Sequence, residues 1–158
     1  MELPYRDNVS IITFKGDNFL VLNLVSFKDG WLKFPQGGID DGESVIEAAK
    51  REFLEEIGTD KIHIHGVSEH KNSYDWPQFI VERTGNRFRG QSQSFVVAEF
   101  KGDESDININ PHEVSSYMWI TREELIEFSN DPEHKLFENY NGVILKIIEE
   151  FSHVFKDN

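Results

Sequence analysis

Within the stretch Phe34–Thr59, "FPQGGIDDGESVIEAAKREFLEEIGT", four glutamates carry the residue types most able to do chemistry: Glu43, Glu52, Glu55 and Glu56. If the segment after the glycines is helical, Glu52 faces Glu55 at i,i+3 and Glu56 at i,i+4, with Cβ atoms about 5–6 Å apart. Their three side chains then share an arc of about 100°. Two like charges at about 6 Å repel by about 0.7 kcal/mol in water, and by about 3 kcal/mol at an effective dielectric near 20. A solvated helix face tolerates that repulsion. A cleft does not, unless protons or cations compensate, and hard divalent cations such as Mg²⁺ are the natural partners of clustered carboxylate oxygens, above all when phosphates complete their shell. Spacing alone therefore gives a candidate metal site and no reaction.

The elements that must position these groups are legible nearby. Ser44 followed by Glu47 has the spacing of a capping box. Ile46, Ala49, Phe53 and Ile57 trace one apolar stripe, and Gly58 supplies a left-handed stop. Before the helix, "KFPQGGIDDGE" reads as a loop, because its Pro and Gly residues disfavour regular structure. "NVSIITF" and "NFLVLNLVSF" read as strands around a turn at Lys15–Asn18. "KIHIHGVSEHK" alternates like a strand, a loop containing Pro77 and Gly85 follows, and "SQSFVVAEF" reads as a buried strand. "SSYMWI" reads as a short strand, Thr121 with Glu124 repeats the capping-box spacing, and Ile144, Ile147, Ile148, Phe151 and Phe155 share one helical stripe. Strands mixed with helices in irregular alternation predict an α+β or layered α/β/α fold.

The 158 residues suit a single domain spanning 1–158. The chain has no cysteine, which excludes disulfides, thiolate metal sites and cysteine nucleophiles. Its N-terminus, MELPYRDN, lacks a signal pattern and no apolar run approaches the roughly 18 residues of a membrane span, so a soluble cytoplasmic protein is expected. With 29 Asp and Glu against 16 Lys and Arg, the net charge of −13 argues against nonspecific grip on a nucleic-acid duplex. A local basic patch at Arg83, Arg87 and Arg89 would still allow one phosphorylated end to bind beside a divalent cation. His63, His65, His70, His112, His134 and His153 show no metal-ligand spacing.

From Gly37 the residues read Gly, five residues, Glu43, seven residues, then "REFLEEIGT". This resembles the signature of the Nudix hydrolases, Gly-x5-Glu-x7-Arg-Glu-U-x-Glu-Glu-x-Gly-U with U a bulky aliphatic residue. Gly37, Glu43, Arg51, Glu52, Glu55, Glu56 and Gly58 fall where that signature wants them; Phe53 and Thr59 depart from it at packing positions. The resemblance implies an α/β/α sandwich with a mixed sheet and a loop-helix-loop that holds Mg²⁺ or Mn²⁺ through Glu52, Glu55 and Glu56. Arg51 would pair with carboxylates of the motif, Glu43 would brace the loop, and Gly37 and Gly38 would let backbone approach metal or phosphate. The family cleaves phosphoanhydride bonds of nucleoside diphosphate derivatives by attack of water on phosphorus. Glu55 and Glu56 both stand as candidates for the base.

Outside that box, "YRDNVSII", "FPQGGIDDGES", "YDWP" and "GQSQSF" resemble the bacterial RNA 5′-pyrophosphohydrolases and related dinucleoside polyphosphate hydrolases. The likeness runs from Tyr5 to Trp119 and implies that Glu113, six residues before Trp119, is a further metal ligand or base. Arg6 reads as a phosphate contact or a surface arginine. Lys33 reads as a phosphate contact or a solvent-exposed lysine, with solvent favoured. Tyr74 reads as a wall of the substrate cleft or a packed loop residue, and Phe137 as a base-stacking ring or, with more weight, a helix-packing one. Trp31 is displaced by one position from the family's tryptophan. The expected partner is a nucleoside polyphosphate or an RNA 5′ end, met by a monomer or small homo-oligomer. A catalytically silent nucleotide sensor is the alternative of another class, but such domains usually lose metal-binding glutamates and here all are present.

Overall fold

The computed structural model describes residues 2–25, 31–133, 135–137, 140 and 142–155. Among these, seven strands form one mixed sheet: β1 (Tyr5–Lys15), β2 (Asn18–Leu24), β3 (Gln36–Gly38), β4 (Ile62–Val67), β5 (Asn72–Asp75), β6 (Gly90–Phe100) and β7 (Val114–Thr121). The main path runs β4-β6-β1-β2-β7, with β3 added to β1 and β5 to β6. β1 and β6 run parallel from Tyr5↔Gly90 to Phe14↔Glu99, and the other pairs are antiparallel. The helices are α1 (Val45–Ile57), α2 (Gln78–Arg83), α3 (Arg122–Ser129), α4 (Val143–Glu150) and α5 (Ser152–Phe155).

Residues 8–14 of β1 are all buried, because both faces of the sheet are covered. On one face, α1 lays Ala48, Ala49, Phe53 and Ile57 against Val9, Ile11, Leu20 and Val96. On the other, Phe14, Phe19, Phe34 and Phe95 pack with Ile144, Ile147, Phe151 and Phe155. This is the layered α+β arrangement that the alternation of elements predicts.

Several expectations are corrected. The run Gln36–Gly38 is not free loop. It forms β3, wedged into the sheet where β1 and β2 part: Ile11 N–H donates to Pro35 O (2.8 Å), Asn8 to Ser10 face Gly38 to Gln36, and Leu22 and Lys33 exchange backbone bonds of 2.7 and 3.0 Å. Pro35 has no N–H that would need an acceptor there, and the inserted edge satisfies its carbonyl and the neighbouring backbone groups. Ile46 lies 39 % exposed, and the face of α1 that is buried holds Ala48 and Glu56 beside Ala49, Phe53 and Ile57. The loop around Pro77 contains α2. The C-terminal stripe is broken at Phe151, which ends α4 before α5 begins, though Ile144, Ile147, Phe151 and Phe155 are all buried. β2 ends at Leu24; Ser26 and Phe27, read as part of that strand, lie outside the described residues, as does His134. Among the described residues, no helix is long and apolar enough to cross a membrane.

Candidate active site

Helix α1 is fixed at both ends as its sequence demands. Ser44 and Glu47 form a reciprocal capping box, and Gly58 closes the helix at φ +84°. Ala48 and Ala49, fully buried, let the helix lie close to the sheet, so the side chains one turn further reach β3.

Arg51 gathers the charges of this segment. Its Nε and Nη2 donate to the two oxygens of Glu43 at 2.8 and 2.9 Å, its Nη1 to Glu52 at 2.8 Å and Glu55 at 3.4 Å, and Nη2 also to Gly38 O at 2.8 Å. Asp40, which the sequence reading passed over, stands 3.6 Å from the same guanidinium. A forked guanidinium suits this task where a lysine would serve one partner at a time. The Arg51 bonds, with the Asp40 N–H, hold the Glu43 carboxyl down at about 2, and the bond to Glu43 raises Arg51.

Glu56 lives in a different environment. It is 4 % exposed, and its Oε1 accepts from the Gln36 N–H at 2.8 Å, which leaves Oε2 for a proton or a cation. Burial pushes its carboxyl up to about 8; the charges of Glu113 and Glu52 add to the rise, and the Gln36 bond and Lys33 oppose it. Burial also raises Glu52. Lys33 is not in water as expected: it is 3 % exposed, its Nζ lies 4.5 Å from the centre of the Phe137 ring, and burial lowers it to about 7.

Glu113 comes from the loop before β7, and the backbone of α1 delivers it. Ile57 O and Glu56 O accept from Asn108 and Asn110 (2.7 and 3.0 Å), and Asn110 O accepts in turn from Glu113 and Val114 (3.1 and 2.8 Å). Glu52, Glu56 and Glu113 thus line one cavity of about 340 Å³ together with Arg6, Gly37 and Gly38. A Cβ on Gly37 would lie 1.9 Å from the Glu52 carboxyl carbon, and one on Gly38 would lie 2.2 Å from Arg6 Nη2. Glycine is needed at both, since carboxylate and guanidinium pass directly over the backbone. Among the described residues, no three acidic or histidine side chains close tightly enough to enclose an ion, because Glu52 and Glu55 turn toward Arg51.

Other predicted site residues lie apart from this cavity. Phe137 is buried on the opposite side of the sheet, outside any helix, edge-on to Tyr74 and Tyr140. Tyr74, half-buried on β5, donates its hydroxyl to Gln91 at 2.6 Å, and burial pushes it up to about 12. Arg83, Arg87 and Arg89 do not form one patch: Arg83 lies over Phe79, Arg89 is forked onto Asp75, and Arg87 faces a separate cavity with Arg6. Gln93, which sequence reasoning passed over, links Asn72, Asn8 and Gln36 behind β3; its sole signal was its place in "GQSQSF".

A family model described as the NUDIX domain matches residues 4–140. The chain belongs to the Nudix hydrolase family. An RNA pyrophosphohydrolase of Rickettsia peacockii (strain Rustic) is 37% identical over 142 residues, which cover 87% of this chain and 88% of that relative. Solved structures share the Nudix fold. The E. coli dihydroneopterin triphosphate pyrophosphohydrolase aligns with a TM-score of 0.65 at 14% identity, over 84% of this chain and 92% of that one. A C. elegans Ap4A hydrolase aligns at 0.62 with 20% identity, over 94% and 99%. The loop and helix carrying Glu43 to Gly58 are therefore the Nudix box of this enzyme, and Glu113 lies on a separate segment of the same domain.

Proposed function

We propose that this Nudix hydrolase removes pyrophosphate from the 5′-triphosphorylated end of RNA with the help of Mg²⁺ or Mn²⁺. The observation that carries the reading is the convergence of Glu52, Glu56 and Glu113 on one cavity beside Arg6, in a chain that resembles an RNA pyrophosphohydrolase over nearly its whole length.

The donor set suits a hard cation: three carboxylates, with a backbone at Gly37 stripped of any Cβ that would exclude the Glu52 oxygens. Glu52, Glu55, Glu56, Glu113 and the Gly37 carbonyl are the groups we assign to hold it. When bound, a divalent ion neutralises phosphate charge and acidifies coordinated water. The chain's own groups do the rest. Arg51 keeps Glu43 and Glu52 in register and relieves their repulsion. Arg6, over Gly38, is placed to bind a phosphate of the chain being cut. Glu56, whose Oε1 accepts from the Gln36 N–H and whose own proton is displaced when the ion binds, is the residue we assign to take the proton of the attacking water. Glu55, more exposed and drawn to Arg51, is assigned to the cation alone.

A second reading, hydrolysis of dinucleoside polyphosphates, is favoured by the net charge of −13, which repels the additional phosphates of an RNA chain. Incubation with 5′-triphosphorylated RNA and with diadenosine tetraphosphate, each with Mg²⁺, separates the two. Pyrophosphate and 5′-monophosphorylated RNA as the faster products support the first reading; preferential cleavage of the dinucleotide supports the second.

A further inference from the structure

We propose that Gln93 is a positioning residue of the active site and that it orients a neutral donor, the side-chain NH2 of Gln36, toward the phosphate oxygens of the substrate, an inference that rests on the phosphoanhydride-hydrolase reading above. Gln93 lies on β6 at 0 % exposure, opposite Asn72 of β5 on one side and Asn8 of β1 on the other. Its Oε1 accepts from Asn72 Nδ2 at 3.1 Å. Its Nε2 donates to Asn8 Oδ1 at 3.4 Å and to Gln36 Oε1 at 3.3 Å, so both hydrogens of that NH2 are engaged.

This pattern fixes which way the Gln36 amide faces. An amide NH2 only donates and an amide oxygen only accepts. Turning Gln93 over would set its NH2 against that of Asn72, and its oxygen against those of Asn8 and Gln36. Turning Gln36 alone would oppose two NH2 groups. In a buried place water cannot relieve either mismatch. Gln93 therefore holds the Gln36 oxygen inward, and the outer end of this half-buried side chain is its NH2. Among the described residues, that NH2 has no hydrogen-bond partner.

Gln36 stands where such a donor is of use. It lines the cavity of Glu52, Glu56 and Glu113 beside Arg6, and its backbone N–H already bonds Glu56 Oε1 at 2.8 Å. One residue thus serves both sides of the reaction: its main chain holds a carboxylate, and its side chain is left for the oxygens of an anion. A neutral amide suits this place better than a second guanidinium. A further cation among three carboxylates would pair with them and compete with the metal ion, whereas an NH2 donates to a phosphate oxygen without drawing Glu56 or Glu113 away. A glutamine with no fixed partner would present its oxygen to the phosphate as readily as its nitrogen. Gln93, anchored on β1 and β5, removes that freedom before substrate arrives.

The test has two arms. In the wild-type protein with Mg²⁺, NMR follows the side-chain amides during titration with methylene-bridged analogues of 5′-triphosphorylated ApG and of diadenosine tetraphosphate. We expect at least one analogue to move the Gln36 NH2 protons beyond the shift that Mg²⁺ alone produces, while those of Gln93 stay in place. The second arm is a double-mutant cycle on whichever substrate is cleaved faster. Gln36→Met and Gln93→Met should each lower kcat/KM about tenfold, and the double variant should lose no more than either alone, because both remove one donor. Mn²⁺ affinity should stay within about twofold in all three, since the carboxylates and the Gln36 N–H are untouched. If Gln93 merely braced β3 under Glu56, the losses would multiply to about a hundredfold and Mn²⁺ binding would weaken with Gln93→Met. That result, or Gln36 NH2 protons unmoved by both analogues at millimolar concentration, would overturn the proposal; should Gln93→Met fail to fold, the wild-type titration decides alone. If the wild-type protein hydrolyses neither substrate while the Gln36 shift stands, the functional reading fails and the donor assignment survives.

Discussion

The two faces of the sheet are built on opposite plans. The face under α1 is thin and aliphatic: Ala48 and Ala49 bring the helix close, and Glu52 and Glu56 reach over β3 from its far end. The opposite face is thick and aromatic, with Phe14 and Phe19 packed on Phe155 and with Phe34 and Phe95 packed on Tyr140 in one buried cluster. One face concentrates unfavourable electrostatics at short range, and the other supplies apolar burial with no comparable charge. Lys33 and Phe137 are where the two plans meet, since the lysine lies over the ring on one side and contributes to the field at Glu56 on the other. The lesson is a division of labour in which the aromatic face supports a site that is costly on its own.

That comparison breaks most plainly under truncation of the aromatic face. Phe155→Ala, at a ring 1 % exposed and packed edge-on to Phe14 and Phe19, should cost about 3–5 kcal/mol of unfolding free energy in a denaturant titration. Turnover per folded molecule should stay near the wild-type value. Glu56→Gln should do the reverse. It keeps the bond from Gln36 but removes the carboxyl that must ionise to hold the ion, so turnover should drop by about a hundredfold or more while the melting temperature of the metal-free protein holds or rises. A variant with near-full activity would remove Glu56 from the mechanism. Gly37→Ala should act in between: the new Cβ meets the Glu52 carboxylate, and activity should fall about tenfold with little loss of stability, read as kcat and Tm on the same preparation.

The pH dependence of stability sharpens the contrast further. Glu56 is pushed up to about 8 from 4.5, so the folded protein keeps a proton that the unfolded chain gives up above 4.5. Stability of the metal-free protein should therefore fall as pH rises from about 5 to 7. Above 7, Lys33, lowered to about 7 from 10.5, acts in the opposite sense. The difference in Tm between wild type and Glu56→Gln across pH 5–7 isolates the effect, and each 1 kcal/mol should appear as about 2–4 °C. Glu43, held at about 2 against 4.5 in the unfolded chain, contributes stability that is lost as pH falls from about 4.5 to about 2.

Legibility in the sequence followed the range of each interaction. The capping box at Ser44, the left-handed Gly58 and the i,i+3 and i,i+4 glutamates are written within a few residues of each other, so the helix and its acidic face could be read directly. What failed were features that depend on distant partners. Gln36–Gly38 became a strand because β1 and β2 part there to receive it. Lys33 is buried because segment 32–37 crosses between β2 and the aromatic face, where Leu32 bridges to Leu136. The run Arg83–Arg89 looked like one patch, but Asp75 claims Arg89 and the turn at Gly85–Asn86 sends Arg87 toward Arg6. None of these carries a local signal.

The central claim is that Glu52, Glu56 and Glu113 together hold a divalent cation. Calorimetric titration of Mn²⁺ into the protein near pH 7, repeated in buffers of different ionisation heat, reads affinity and proton release together. The account predicts specific binding with release of about one proton, as the raised Glu56 carboxyl gives way to the ion, and loss of both in Glu56→Gln. Mn²⁺ affinity and proton release unchanged in Glu52→Gln and Glu56→Gln would contradict it.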